Sequence, residues 1–97
     1  MPAYFDSSVL LSILKNDSHA EVAAELWSRY PERVSSLLLE AECRIVLRRT
    51  ASQWKESLPR QWLAVREEAL ANYLTEVDLK PVDNEILEII REKGDLA

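Results

Sequence analysis

Two acidic residues stand where their surroundings make a carboxylate informative. Asp6 follows the short apolar run Ala3-Tyr4-Phe5 and precedes Ser7-Ser8 and a second apolar run from Val9 to Leu14. It therefore sits at the carboxyl end of an expected buried strand, where open α/β sheets gather their ligands. An Asp at such a turn is equally a cap or turn residue, and position alone leaves the two roles even. Glu42 lies within an expected helix from Leu37 to Ser52. Projected at about 100° per residue, Leu38, Leu39, Ile45 and Val46 form one apolar stripe with Glu42 in its middle, and Glu40, Arg44 and Arg48 fall on the other side. A carboxylate in an apolar stripe is costly unless it is paired, protonated or bound to metal. Arg49, two turns on at nearly the same angle, offers an ion pair as the structural alternative.

Two carboxylates at the top of a sheet suit Mg²⁺, which takes one or two protein carboxylates and fills its shell with water and substrate phosphate. Such a metal activates water and neutralises charge on a phosphodiester. The basic residues Arg44, Arg48, Arg49, Lys55 and Arg60 are candidates for phosphate contacts, with a solvated helix face as the simpler reading. Trp54 and Trp62 have the shape to stack on bases, but aromatics at helical spacing usually belong to a core. His19, the single histidine, has no cluster of zinc ligands near it in sequence and is expected to be exposed. Cys43 is expected to be a small core residue, because a cysteine nucleophile needs a base and the histidine is remote in sequence.

The bulk composition narrows the field further. The chain has 97 residues, 47% hydrophobic and 30% charged, which suits one small globular domain spanning 1–97. Net charge is −5, so any polyanion must be held by a local basic patch or by metal. One cysteine allows no intrachain disulfide, and a cytoplasmic setting is the default expectation. No apolar run approaches the roughly 20 residues of a membrane span. A single Gly, Gly94, excludes a Gly-rich phosphate loop and argues against tight hairpins.

The elements that must position the acids read as β-α-α-β-α-α-β-α. Ala3 to Phe5 is the first strand, and Val9 to Leu14 is long enough for a short buried helix capped by Ser7 or Ser8, although periodicity alone does not exclude a strand there. Ser18 and Glu21 have the spacing of a capping box, with Val22, Leu26, Trp27 and Tyr30 on one helical face and Pro31 as the stop. Arg33 to Ser35 is the second strand, and Ser36 caps the third helix. Trp54 to Leu58 is loop or helix. Pro59 suits a first helical turn, and Trp62, Val65, Ala69 and Tyr73 recur at helical spacing. Val77 to Pro81 is the third strand. Asp83 opens a last helix, with Val82 and Leu87 in staple positions and Gly94 as its end. Strands separated by helices predict an α/β fold with a parallel sheet.

These residues resemble a known family. Tyr4-Phe5-Asp6-Ser7-Ser8-Val9-Leu10-Leu11 is similar to the opening of PIN-domain ribonucleases of the VapC toxin type, an apolar strand ending in Asp-x-Ser. Val34-Ser35-Ser36-Leu37, then Glu42 and Leu47-Arg48-Arg49, resembles the family's second block. The resemblance implies a three-layer α/β/α fold, here truncated to about three strands, and a metal-dependent endoribonuclease that is the toxin half of a toxin–antitoxin pair. Asp6 and Glu42 would match the first two acids of a cluster that binds Mg²⁺ or Mn²⁺, and Ser8 the polar residue that supports it. RNA is the implied substrate, a VapB-type antitoxin the implied partner, and dimerisation is usual.

The family's third block, Leu-Asp-Ala-x-His-Leu-Ala, and its fourth acid have no match here, and Asp95 lacks the helix that would hold a third acid. The expectation is a C-terminally incomplete domain. It would pair through the edge of its first strand, swap elements with a copy, or bind a complementing C-terminal fragment. Three functions stay open: a ribonuclease resting on Asp6 and Glu42, a non-catalytic antitoxin-binding or dimerisation module, and an unrelated α/β adaptor in which Glu42 merely pairs with Arg49.

Overall fold

The computed structural model describes residues 2–81. Three strands and four helices alternate along the chain: β1 (Ala3–Tyr4), α1 (Ser7–Lys15), α2 (Ala20–Arg29), β2 (Arg33–Ser36), α3 (Leu39–Gln53), α4 (Trp62–Leu74) and β3 (Asp78–Lys80). The sheet has the order β1-β2-β3 and is parallel throughout. Tyr4 pairs with Val34, and Val34 with Asp78. The fold class read from the sequence is therefore the one observed. The last expected helix, from Asp83 with its staple residues Val82 and Leu87, lies outside the described residues, as do Gly94 and Asp95.

Both crossovers step in the same direction along the sheet, and right-handed connections then place their helices on one face. Phe5 shows the result. Its ring is fully buried, 5.1 Å from the Trp27 ring and 6.5 Å from that of Tyr30. One core joins Ala3 and Phe5 of the β1 segment to residues from all four helices, among them Leu10, Trp27, Leu47 and Leu70.

Several local expectations change in the structure. The Val9–Leu14 run is helical, and its cap is Asp6 rather than Ser7 or Ser8. Asn16 ends α1 in the left-handed region at φ 52°, which Asn tolerates better than most residues. The capping box at Ser18 and Glu21 does not form. The Ser18 hydroxyl engages Nδ1 of His19, and Asp17 Oδ1 accepts the His19 N–H, so α2 begins at Ala20 with no side-chain cap. Val22 is exposed and Ala23 takes its place in the core beside Trp27.

Trp54 to Leu58 is a turn, in which the Trp54 carbonyl accepts from Ser57 and Leu58. Pro59 stays outside α4, where its carbonyl accepts the Trp62 N–H. Val65 is exposed and Leu70 is buried. Pro81 follows directly on the end of β3.

Phe5 is the side chain whose loss the core tolerates least. Phe5→Ala should lower the unfolding free energy by about 3–5 kcal/mol, a large part of what a domain of this size has. Urea unfolding monitored by tryptophan fluorescence measures it, and a loss below about 1 kcal/mol would contradict the central placement of this ring.

Candidate metal centre

Both candidate acids ride on helices that start where adjacent strands end. The chain leaves β1 through Phe5, and Asp6 caps α1 with extended backbone, φ −89° and ψ 175°. Its Oδ1 accepts the Ser8 N–H at 2.8 Å and the Ser8 hydroxyl at 2.5 Å. One carboxylate oxygen is thereby fixed twice by a residue two positions on. The helix N-terminus adds a favourable field for the negative charge.

β2 holds this arrangement from the side. The Phe5 N–H donates to the Val34 carbonyl at 2.9 Å, and the buried Ser35 hydroxyl donates to the Phe5 carbonyl at 2.6 Å. The next residue, Ser36, accepts the Leu38 N–H at 2.9 Å. It thus turns the chain ahead of α3 instead of capping the helix directly, and α3 starts at Leu39, two residues later than expected.

The phase of α3 also differs from the projection. Its buried stripe is Leu39, Cys43 and Leu47, spaced four apart. Leu38 and Ile45 are more than half exposed, and Glu42 shares their side of the helix. Glu42 is therefore a surface carboxylate in the first turn of α3 and not a charge inside an apolar stripe. It makes no ion pair with Arg49, and neither side chain has a partner among the described residues.

Cys43, next to Glu42 in α3, belongs to the core. Its thiol is fully buried, and burial first, then the negative charges of Glu42 and Asp6, push it up to about 12. Asp6 and Glu42 stand at the N-terminal ends of α1 and α3, which follow the carboxyl ends of the adjacent parallel strands β1 and β2. The packing of α1 against α3 agrees with this.

The donor set is hard oxygen, which fits Mg²⁺ or Mn²⁺ with water and phosphate completing the shell, and does not fit zinc. No group of three His, Cys, Asp or Glu side chains suited to a metal exists among the described residues. His19 is exposed, and Cys43 is a buried thiol, as expected. A depression of about 590 Å³ lies elsewhere, toward the opposite ends of the strands around Pro31, Glu32, Arg33 and Val77.

The basic residues divide. Arg44 bonds Glu40 at 2.8 Å and Glu67 at 2.6 Å, and Arg48 reaches the same Glu67 oxygen at 3.1 Å. Burial pushes the Glu67 carboxyl up, but hydrogen bonds from Arg44 and Arg48 outweigh it and hold Glu67 below its ordinary value. These two arginines thus clamp α3 to α4, and Arg49 stays exposed. Trp62 is core, with the Arg66 guanidinium 4.8 Å from its ring centre, whereas Trp54 is more than half exposed.

The PIN-domain family profile matches residues 3–94. The chain belongs to the PIN-domain family. Membership points to a nuclease-type function on nucleic acid, and PIN domains generally depend on divalent metal. No curated protein and no solved structure matches the chain. No helix among the described residues is long and apolar enough to cross a membrane. In this PIN domain the sequence reading missed Ser35 and Glu67. The only signal for Ser35 was its place at the end of an expected strand, and for Glu67 there was none, because its partners lie 19 and 23 residues away.

The Cys43 thiol yields a pH test. Folded, it keeps its proton up to about 12, whereas an unfolded thiol releases it near the ordinary 9.0. The stabilising effect is complete below the unfolded value and is lost as pH rises toward the folded one. The stability difference between the wild type and Cys43→Ala should therefore narrow from about pH 9 toward 12. Urea unfolding across that range would show it, and a constant difference would mean that the thiol is not perturbed.

Proposed function

We propose that this PIN domain is an endoribonuclease of the VapC toxin type, which hydrolyses RNA phosphodiester bonds at a metal site built on Asp6 and Glu42. The observation that carries the reading is the placement of both carboxylates at the N-terminal ends of α1 and α3, where the adjacent parallel strands β1 and β2 end. A bound Mg²⁺ or Mn²⁺ would supply activated water and charge neutralisation at the phosphate. Asp6 would hold the ion from the N-terminus of α1, with Ser8 fixing its orientation. Glu42 would hold it from α3, open to solvent and to a long substrate. Ser35 would keep the end of β1, and so Asp6, in register with β2.

The same reading includes a VapB-type antitoxin as protein partner, a cytoplasmic setting and self-association. It also treats 1–97 as a single PIN-like unit, with a second copy or a separate C-terminal fragment as candidate partners. One observation favours a second reading, a catalytically silent PIN module that binds an antitoxin or a copy of itself. No group of three His, Cys, Asp or Glu side chains suited to a metal stands among the described residues.

RNA cleavage by the 97-residue chain in Mg²⁺ or Mn²⁺ separates the two. On the nuclease reading, cleavage requires the metal, Asp6→Asn and Glu42→Gln abolish it, and Ser8→Ala lowers it about 10- to 100-fold, as loss of an orienting hydrogen bond does. Absence of cleavage in either metal rejects the nuclease reading for this chain and leaves the binding module. Cleavage that survives both acid substitutions would place the site elsewhere.

A further inference from the structure

α1 and α2 leave a depression of about 260 Å³ between them, and Ser8 is part of its lining. The hydroxyl of that same Ser8 donates to Asp6 Oδ1. The depression therefore borders the acidic end of the sheet. Ala23 is buried there, whereas Val22 is 62% exposed and Leu26 is half-buried, and these three give the depression apolar walls.

Two polar groups face this apolar surround without a partner. Ser12 follows Ser8 one turn later on the same face of α1, about 6 Å along the axis. It lines the depression, and its hydroxyl has no hydrogen-bond partner among the described residues. His19 lines it too, just ahead of α2. The Ser18 hydroxyl engages His19 Nδ1 at 3.0 Å, and Asp17 Oδ1 accepts the His19 N–H at 2.9 Å. The ring is thus held at one nitrogen, and Nε2 has no partner among the described residues. The serine that does not cap α2 orients the chain's one imidazole instead.

The lining selects a ligand class. Among the described residues it includes no Asp, Glu, Lys or Arg. A phosphate would find no cation there and an ammonium no anion, so the group that enters is neutral. Aliphatic walls with a hydroxyl and an imidazole nitrogen suit a flat heteroaromatic ring, whose faces are apolar and whose edge carries donors and acceptors. We propose that this depression is a nucleobase subsite, taking the base next to the phosphate held at Asp6, with Ser12 and His19 reading the edge of that base. The inference rests on the nuclease reading for the phosphate beside it. It places sequence preference on the α1–α2 side of the metal and leaves Glu42 on α3 open to the rest of the strand. A base enters such a pocket only when unstacked and unpaired, so the substrate is single-stranded there.

Amide NMR of the full chain, titrated with each of the four common ribonucleoside 5′-monophosphates, tests the subsite without requiring cleavage. One of them should bind about 10-fold more tightly than the weakest, as one hydrogen bond more or less dictates, and should move the signals of Ser12, His19 and Val22. Val22→Trp, at an exposed position, fills the depression and should abolish these shifts. Ser12→Ala and His19→Ala should level the preference, with circular dichroism confirming the fold of each variant. In RNA cleavage, cutting should favour one base beside the scissile bond, Val22→Trp should raise KM about 10-fold with little change in kcat, and the two alanine variants should flatten the preference. Base-selective shifts without any cleavage would reject the nuclease reading and support base recognition. Shifts that are absent, equal for all four bases, or unchanged in Val22→Trp would overturn the subsite, whether or not the chain cleaves.

Discussion

The peptide unit at Phe5 must be buried, and a buried peptide must have both of its polar groups satisfied. The ring forces the burial, since it fills the space between Trp27 and Tyr30. β2 then satisfies the peptide from one side, through the Val34 carbonyl and the Ser35 hydroxyl. Only a parallel neighbour in this register offers both, a backbone acceptor and, one residue on, a side-chain donor. The pairing of β1 with β2 is short, two residues by register, and the serine extends its hold past the last ladder pair. Everything at the carboxyl end of the sheet inherits its position from there. Asp6 is the next residue along one strand, and Ser36, which turns the chain toward Glu42, is the next along the other.

Much of this was legible in the sequence, and the parts that were not share a cause. Strand and helix order followed from composition and breaker residues, because Pro31, the apolar start and the Ser-rich strand ends mark boundaries locally. Asp6 was legible because its position after an apolar run is a local fact. Helix phase was not legible. Leu38 and Ile45 pulled the projected stripe of α3 about a quarter turn toward Glu42 at ~100° per residue, because hydrophobicity alone counts an exposed leucine as core. Small residues carried the true phase: Cys43 in α3 and Ala23 in α2 are buried where larger neighbours are not. The cap of α2 failed for a similar reason. Ser18 has a competing partner in the His19 ring, and Asp17 reaches the backbone first. The roles of Ser35 and Glu67 depend on contacts made across the fold, which no local window contains.

The electrostatics follow from the same geometry. An acidic protein that acts on RNA must gain positive charge where the phosphate binds, and the described cations are unevenly available. Glu67 draws Arg44 and Arg48 toward α4, and it stays ionised despite its burial because two guanidiniums share it. That exchange fixes how α4 lies on α3 and removes two of the three clustered arginines from the acidic end. That end holds the Asp6 and Glu42 carboxylates, the N-termini of α1 and α3 and the buried Cys43 thiol, with Lys80 closing β3. Such a place is unfavourable for a phosphate and favourable for a divalent cation, which inverts the local sign and then admits the polyanion.

The shift in phase also changes what Glu42 can do. Inside an apolar stripe it would have been an ion pair or a protonated acid, because burial leaves a carboxylate few other choices. On the surface, one residue before a core cysteine, it is free of that constraint and still near enough to act on the buried sulfur. Residues 42 and 43 point about 100° apart, so the phase that buries the thiol also presents the carboxylate to solvent at the end of the sheet where Asp6 stands. It sets Glu42 on the flank of the exposed Leu38–Ile45 line as well. A single helix thus contributes to the core, to the acidic site and to an outward apolar face. Because helix phase is rigid, no one of these can be adjusted without the other two. Cys43 is the residue at which that coupling is tightest, being small enough to let α3 approach α1 and apolar enough to anchor the phase.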